Sequence, residues 1–289
     1  MMMPSNNLAA FEDLMKYMRT NHGPGTTTGN KSASSSKKRA KPEPTVAVVA
    51  EEKTPAAAAA VCPFSNEFVE QCASPTGGVL TIPHQYFKST VGLTALSNFS
   101  EVPGGFEVHG GVWPTAEHCY IATVFVAERD RHRFEVGGDL STLDGLRFFF
   151  GEAELEKKKK FWDRTLNGKR GPMPGIVAKL AKYHPEKAGI TLKPRDETPF
   201  MTDEDVMKTF EPIFDAKYAA CEAFRDALDG VPENTLLVEF DRSAEKETKD
   251  GNAPRWTGMV RENEEGERRL YGKNLCGRMM MQMKRKNRA

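Results

Sequence analysis

The chain has few cysteines, and their arrangement points to neither a disulfide framework nor a zinc site. Five cysteines are scattered over 289 residues, with no C-x-x-C pair and no histidine spacing that would close a tetrahedral zinc site. An odd, scattered set predicts reduced thiols, as in a cytosolic or nuclear protein. We therefore expect no bound metal.

Long hydrophobic runs and a strong net charge are also missing. No segment approaches the roughly 18 consecutive apolar residues that a membrane span requires. The apolar run at the start is too short for a signal peptide, and Glu12 and Asp13 argue against a mitochondrial transit peptide. A formal net charge of +1 provides no global field for nucleic acid or anionic lipid. The sequence predicts an unsecreted, soluble protein with no membrane partner, in which nucleic acid could bind only to a local patch.

Residues 1–75 have the composition of a disordered tail. Gly, Thr, Ser, Lys, Pro and Ala dominate residues 23–60, and such a segment cannot bury enough apolar surface to offset the entropy of ordering. An apolar stripe at helical spacing over residues 8–18 indicates either a partner-binding helix or marginal helicity. The basic cluster KKRAKP at residues 37–42 indicates either a nuclear import signal or a solvated linker.

Residues 76–289 carry the periodic patterns of one folded domain. Gly110-Gly111 is the turn of a predicted hairpin, and Pro114 suits the start of the helix that follows. The predicted strands cover residues 79–82, 106–113 and 235–240, and predicted helices cover about 115–129 and 273–286. One or two helices are predicted over about 203–229, with a capping box at Thr202 and Asp205, and a polar loop is predicted over residues 241–254. We expect an α+β fold, as a helix-dominated single domain with a small β-sheet.

Four short stretches occur in an order that resembles a known family. They are LSNFS at residues 96–100, WPTAEHCY at 113–120, LLVE at 236–239 and GKNLCGRMM at 272–280. Their order and spacing resemble the NADAR superfamily, also called YbiA-like. The resemblance covers about residues 79–286 and leaves an insertion around residues 130–200.

This resemblance implies a YbiA-like fold and an N-glycosidase activity. Members are linked to NAD and ADP-ribose ligands, and the enzymes among them hydrolyse N-glycosidic bonds. Their substrates include riboflavin-pathway aminopyrimidines and ADP-ribosylated guanine. The expected partner is therefore a nucleotide or ADP-ribose-type small molecule, or an ADP-ribosylated nucleic acid, while the oligomeric state is left open.

Glu117 is the predicted catalytic residue. Cleavage of a glycosyl C–N bond builds positive charge on the sugar, which a nearby carboxylate can stabilise while it directs water. Glu117 lies early in a predicted helix, directly after the Trp-Pro motif. The alternative is an ordinary glutamate in a first helical turn, where it interacts favourably with the helix dipole.

Eight other residues are predicted to bind the substrate: Asn98, Trp113, His118, Trp256, Gly272, Lys273, Asn274 and Gly277. An asparagine in a turn can bind a ribose or a base edge, or it can merely close an Asx-turn. The two tryptophans can stack on a base or belong to the core. The histidine suits a general base, but its position directly after Glu117 also fits a packed structural histidine.

The segment from Gly272 to Gly277 predicts a phosphate seat. A glycine, a lysine and an asparagine at the start of a helix place free N–H groups where phosphate binds, although a plain glycine turn would look the same. The pattern lacks the Ser/Thr that follows lysine in a P-loop, which excludes a P-loop NTPase. No cofactor is expected.

Two positions depart from the family pattern. Val124 stands where the resemblance implies a lysine that forms a Schiff base with the opened sugar, and residues 256–259 read WTGM in place of Trp-Gly-Asp-Gly. The chain is then either an N-glycosidase that uses Glu117 with water or with a substitute such as Lys169, Lys182 or Lys273, or a weakened ADP-ribose or nucleotide-binding module. A purely structural protein is the third alternative.

Overall fold

The structure of the protein is a computed structural model. It describes residues 78–82, 92–166, 172–194, 196–197, 202–241, 244–249, 251, 253–262, 264 and 268–288. The chain divides into residues 1–60 and 61–289, and every described residue belongs to the second unit. The predicted tail over residues 1–75, with its helix and its basic cluster, lies outside the described residues.

The α+β fold is confirmed, with helices as the dominant element. The described strands form three separate pairs. They are β1 (Gly78–Ile82) parallel to β4 (Thr235–Glu239), β2 (Phe106–Val108) antiparallel to β3 (Gly111–Trp113), and β5 (Met259–Glu262) antiparallel to β6 (Arg268–Tyr271). The predicted hairpin turn lies one residue earlier, because His109 and Gly110 have the positive φ angles of 54° and 74° that a two-residue hairpin turn needs.

Helices surround the β1–β4 pair. The described α-helices are α1 (Ala116–Phe125), α2 (Glu152–Leu166), α3 (Gly175–Tyr183), α4 (Pro185–Ala188), α5 (Asp203–Ala220), α6 (Glu222–Asp229), α7 (Ala244–Lys249) and α8 (Leu275–Arg288). All five residues of β4 are buried, as a short apolar run predicts for a central strand. α8 packs on β4 and α5, and α1 packs on α3 and α5.

Two helix starts follow from their caps. Thr115 caps α1, because its Oγ1 accepts a hydrogen bond from His118 N. Thr202 and Asp205 form the predicted capping box of α5. α1 ends at Phe125, earlier than predicted, and a 3₁₀ helix over Glu128–Arg133 follows it. Within the described residues, no helix is both long and apolar enough to cross a membrane.

Candidate functional site

Two neighbouring segments hold Glu117 in the first turn of α1. Its backbone N donates to Asn98 O at 3.0 Å. The start of α3 lies against it, since a Cβ on Gly175 would come within 3.1 Å of Glu117 Cβ. Gly175 N also donates to Phe99 O at 3.2 Å. The missing side chain at Gly175 therefore allows α3 to approach the glutamate closely.

The surroundings of Glu117 favour its neutral form. Burial raises the pKa of Glu117 to about 7; the charge of Glu239 also raises it, whereas the charges of Lys179 and Lys182 lower it. Near neutral pH the carboxyl group is thus present in both protonation states. A group poised in this way can give a proton to a leaving group or take one from water.

The lysines of the site come from α3. Lys182 Nζ lies 3.6 Å from the centroid of the Phe125 ring, and Lys179 Nζ lies 5.5 Å from that of Phe99. Burial lowers the pKa of Lys182, against the opposing charge of Glu117. Phe125 directly follows Val124, so Lys182 places an amine beside this part of α1, as does Lys193, whose Nζ donates to Thr123 O at 2.6 Å. Of the other two lysines predicted as substitutes at Val124, Lys169 lies outside the described residues, and Lys273 binds Asp203.

Asn98 is buried without hydrogen bonds to its side chain. The residue has 0% exposure, and within the described part of the chain neither Nδ2 nor Oδ1 has a partner. An unpaired buried polar group costs about 1–3 kcal/mol. Because this unpaired amide lies near a glutamate whose pKa is raised, we favour a role for Asn98 in binding a ligand.

Trp113 and His118 are buried, and their polar ring atoms are hydrogen-bonded within the protein. Trp113 is 1% exposed in β3, and its Nε1 donates to Val108 O at 2.8 Å, so the indole supports the hairpin. His118 Nε2 bonds to Leu140 O at 2.8 Å, and Nδ1 bonds to Thr115 Oγ1 at 2.8 Å. Burial lowers the pKa of His118 to about 4. Because both ring nitrogens are occupied, the imidazole offers no free polar atom to a ligand in this structure.

Trp256 belongs to a row of aromatic rings that leads to the site. Its ring centroid lies 4.1 Å from that of Phe210, which lies 4.6 Å from that of Tyr120. Tyr120 is in α1, one turn after Glu117; burial raises the pKa of this tyrosine to about 12, and the charge of Glu117 adds to the effect. The row therefore connects the segment before β5 with the Glu117 site.

The turn before α8 does not offer the predicted free N–H groups. Four consecutive backbone N atoms, those of residues 273–276, donate to the carbonyls of residues 254, 257, 255 and 256 respectively. Lys273 Nζ donates to Asp203 Oδ2, and Arg255 Nε forms an ion pair with Asp203 Oδ1 at 3.1 Å. The phosphate seat expected at this helix start is therefore not formed, because a long-range contact with the preceding loop occupies its donors.

Asn274 and Gly277 join α8 to β4. Asn274 Nδ2 donates to Leu237 O at 2.6 Å, and Asn274 Oδ1 accepts from Glu239 N at 3.2 Å. A Cβ on Gly277 would lie 1.8 Å from Leu237 O. Gly272 has a φ of 81°, which glycine adopts without steric strain, and so forms the turn before α8. These three residues therefore hold the start of α8 against β4.

Asn274→Ala should destabilise the fold strongly. The change leaves two buried backbone groups of β4 without their partner and places alanine at a φ of 50°. We expect the free energy of unfolding to fall by about 2–5 kcal/mol in urea denaturation. Lys273→Ala is the matched control, because this exposed ion pair is worth only about 0–1 kcal/mol. Equal effects of the two changes would contradict the structural role of Asn274.

Glu117 and the turn before α8 meet at the carboxyl end of β4. Glu239 ends this strand, bonds Asn274 through its backbone and acts on the pKa of Glu117 through its charge. Burial raises the pKa of the neighbouring Cys276 thiol, and the charges of Glu239 and Glu117 contribute. The two segments, 155 residues apart along the chain between Glu117 and Gly272, are therefore both within electrostatic reach of Glu239.

Two residues of this site, Glu239 and Lys179, were not identified from the sequence, whereas Lys182 was considered as a substitute lysine. Glu239 is the charged end of an otherwise apolar run, and that position was the signal available. Lys179 and Lys182 are three residues apart, a helical spacing that places both on one face. Among the described residues, no group of three or more His, Cys, Asp or Glu side chains could hold a metal ion.

Comparison with known proteins gives no match for this chain. No family model matches it, no curated protein is significantly similar to it, and no solved structure resembles it at a significant level.

Proposed function

We propose that this protein hydrolyses an N-glycosidic bond of an ADP-ribosyl or ribose-phosphate substrate, such as ADP-ribosylated guanine or a riboflavin-pathway aminopyrimidine. The observation that carries the proposal is the half-buried Glu117, with its pKa raised to about 7, between two lysines and a second glutamate. Raised carboxyl pKa values are typical of residues that transfer protons.

The proposed reaction needs one carboxyl group and one water molecule. As the C1′–N bond breaks, the electron pair of the bond leaves with the base and positive charge develops on the sugar. Glu117 stabilises this charge and takes a proton from the water whose oxygen bonds to C1′, and it then passes this proton to the leaving nitrogen. The Asn98 amide then binds a ribose hydroxyl or a base edge, and Lys179 and Lys182 supply the positive charge that a phosphate needs.

The second candidate function is a nucleotide or ADP-ribose-binding module with little or no turnover. The observation that favours it is Val124, which has no amine where the family resemblance implies one. Lys182 supports the first function instead, because its amine lies beside Phe125, at the end of α1 that also carries Val124. The two functions share a ligand and differ only in whether the bond is cleaved.

Product release distinguishes the two functions. We expect the purified full chain to release free guanine base or ADP-ribose from ADP-ribosylated guanine, or free aminopyrimidine from its ribose phosphate, as measured by chromatography. A ligand that binds only the folded state also raises the melting temperature, by an amount that grows with ligand concentration. A thermal shift with ADP-ribose but no release would support the binding module, and neither shift nor release would overturn both functions.

A further inference from the structure

Lys217 is a buried lysine of α5 to which the proposed chemistry gives no role. It has 0% exposure. Its Nζ donates to Ser97 O at 2.8 Å and to Ser100 Oγ at 3.0 Å, and lies 4.8 Å from the centroid of the Phe224 ring. A buried ammonium group is stable only when it is hydrogen-bonded, so these contacts fix the turn of residues 97–100 to α5.

That turn is the meeting point of three helices. Ser97 O accepts from Lys217 of α5, and the next two carbonyls, of Asn98 and Phe99, accept from Glu117 N of α1 and Gly175 N of α3. Three consecutive carbonyls therefore bind three different helices. Displacement of the first carbonyl moves the two that hold the catalytic glutamate and the start of α3.

We propose that Lys217 is a positioning residue that holds the turn of residues 97–100, so that the Asn98 amide and the Glu117 carboxyl group face the same substrate. The inference rests on the proposed function, because positioning matters for chemistry only if Glu117 acts on a substrate. The effect of Lys217 on the surroundings of Glu117 can be measured without any substrate. Lys217 itself touches no reacting atom.

Several titratable groups influence the pKa values of Lys217 and Glu117. Burial lowers the pKa of Lys217 to about 8, and Cys221, Cys276 and Glu239 oppose this effect. The amine thus remains mostly protonated at pH 7. The charges of Lys179, Lys182 and Glu239 influence the pKa of Glu117. The charge of Glu117 in turn raises the pKa values of Tyr120, Tyr183 and Cys276.

The test is the titration of Glu117 in the Lys217→Met variant of the full chain. Carboxyl resonances of ¹³C-labelled glutamate are followed by NMR, and Glu117 is identified by the signal missing from Glu117→Gln. Loss of the positive charge alone would raise the pKa of Glu117. Release of the turn would expose the carboxyl group and lower its pKa toward 4.5, its ordinary value. We expect the downward shift, by about one pH unit or more.

Lys284→Met is the matched control. Lys284 is equally buried in α8, and its Nζ donates to Val231 O rather than to an atom of residues 97–100. We expect this variant to be destabilised without a shift of the Glu117 titration. Should Lys217→Met fail to fold, Ser100→Ala replaces it, since it removes one acceptor and keeps the lysine; a downward shift is again expected.

The outcomes separate this inference from the proposed function. A downward shift in either variant supports Lys217 as a positioning residue even if the parent protein releases no product, in which case only the proposed hydrolysis fails. An unchanged or raised Glu117 pKa in a folded variant overturns the inference. With an active parent, the fall in kcat should exceed any change in KM in Lys217→Met, and Lys284→Met should leave both unchanged.

Discussion

Glu117→Gln should lower the rate of product release by about 10²–10⁴-fold, the contribution expected of a general acid or base. Glutamine keeps the size and the hydrogen-bonding atoms of the side chain but can neither hold a negative charge nor transfer a proton. The rate is measured by single-turnover release of base from the same substrate. Activity of the parent should change most steeply around pH 7, where Glu117 titrates.

Glu204→Gln is the control for this prediction. Glu204 also lies in the first turn of a helix, α5, but is exposed. If Glu117 only complemented the helix dipole, the two substitutions would have equally small effects, of about 0.3–1 kcal/mol on stability, and neither would alter turnover. Retention of full activity in Glu117→Gln would remove the basis of the proposed hydrolysis.

The same variant should be more stable than the parent at alkaline pH. The pKa of Glu117 is raised from 4.5 to about 7 in the folded state, so its contribution to stability is fully present below pH 4.5 and is lost as pH rises through 7. Glutamine carries no charge to desolvate at pH 8. We expect a gain of up to about 3 kcal/mol, reduced because the side chain is only half-buried. Lost activity together with gained stability would exclude unfolding as the cause.

Gly277→Ala should prevent the chain from folding. The added methyl carbon would lie 1.8 Å from Leu237 O and 2.6 Å from Leu237 C, both of which are backbone atoms of a buried strand. Neither α8 nor β4 can move away without breaking the hydrogen bonds of Asn274. We expect a loss of more than about 4 kcal/mol, seen as lost soluble yield or as a lost unfolding transition in circular dichroism.

Gly151→Ala is the corresponding control. A Cβ at Gly151 meets nothing within 4 Å, and its backbone does not require a positive φ. The substitution should leave the free energy of unfolding within about 0.5 kcal/mol of the parent. A well-folded Gly277→Ala protein would show that α8 and β4 do not pack as described.

Local patterns predicted the elements that local interactions determine. The buried strand β4, the hairpin of β2 and β3 and the capping box at Thr202 each have their signals within a few residues. The break between α5 and α6 at Cys221 was left open, as one helix or two. The helix α7 was expected as a loop, because its sequence is polar and its support comes from a distant residue, with Thr248 Oγ1 accepting from Gly272 N.

Long-range contacts explain where the predicted site differs from the structure. The loop of residues 254–257 occupies the helix-start N–H groups, and no pattern within residues 272–280 reveals that. Two amines lie beside the residues that flank Val124 on α1: that of Lys182, which α3 brings from 58 residues further along the chain, and that of Lys193, whose Nζ donates to Thr123 O. Glu117 and Asn98 could be identified from the sequence because their motif residues lie close together both in the chain and in space.

The pairing of Asn274 with β4 also bears on how the protein avoids self-association. Leu237 O and Glu239 N lie on the side of β4 that faces away from β1, and the asparagine amide binds both as a neighbouring parallel strand would. An open strand edge can recruit a strand of another molecule and start aggregation. The side chain of Asn274 and the backbone of Gly258, whose N donates to Glu239 O at 2.9 Å, thus occupy an edge of β4 at which a strand of another molecule could otherwise pair.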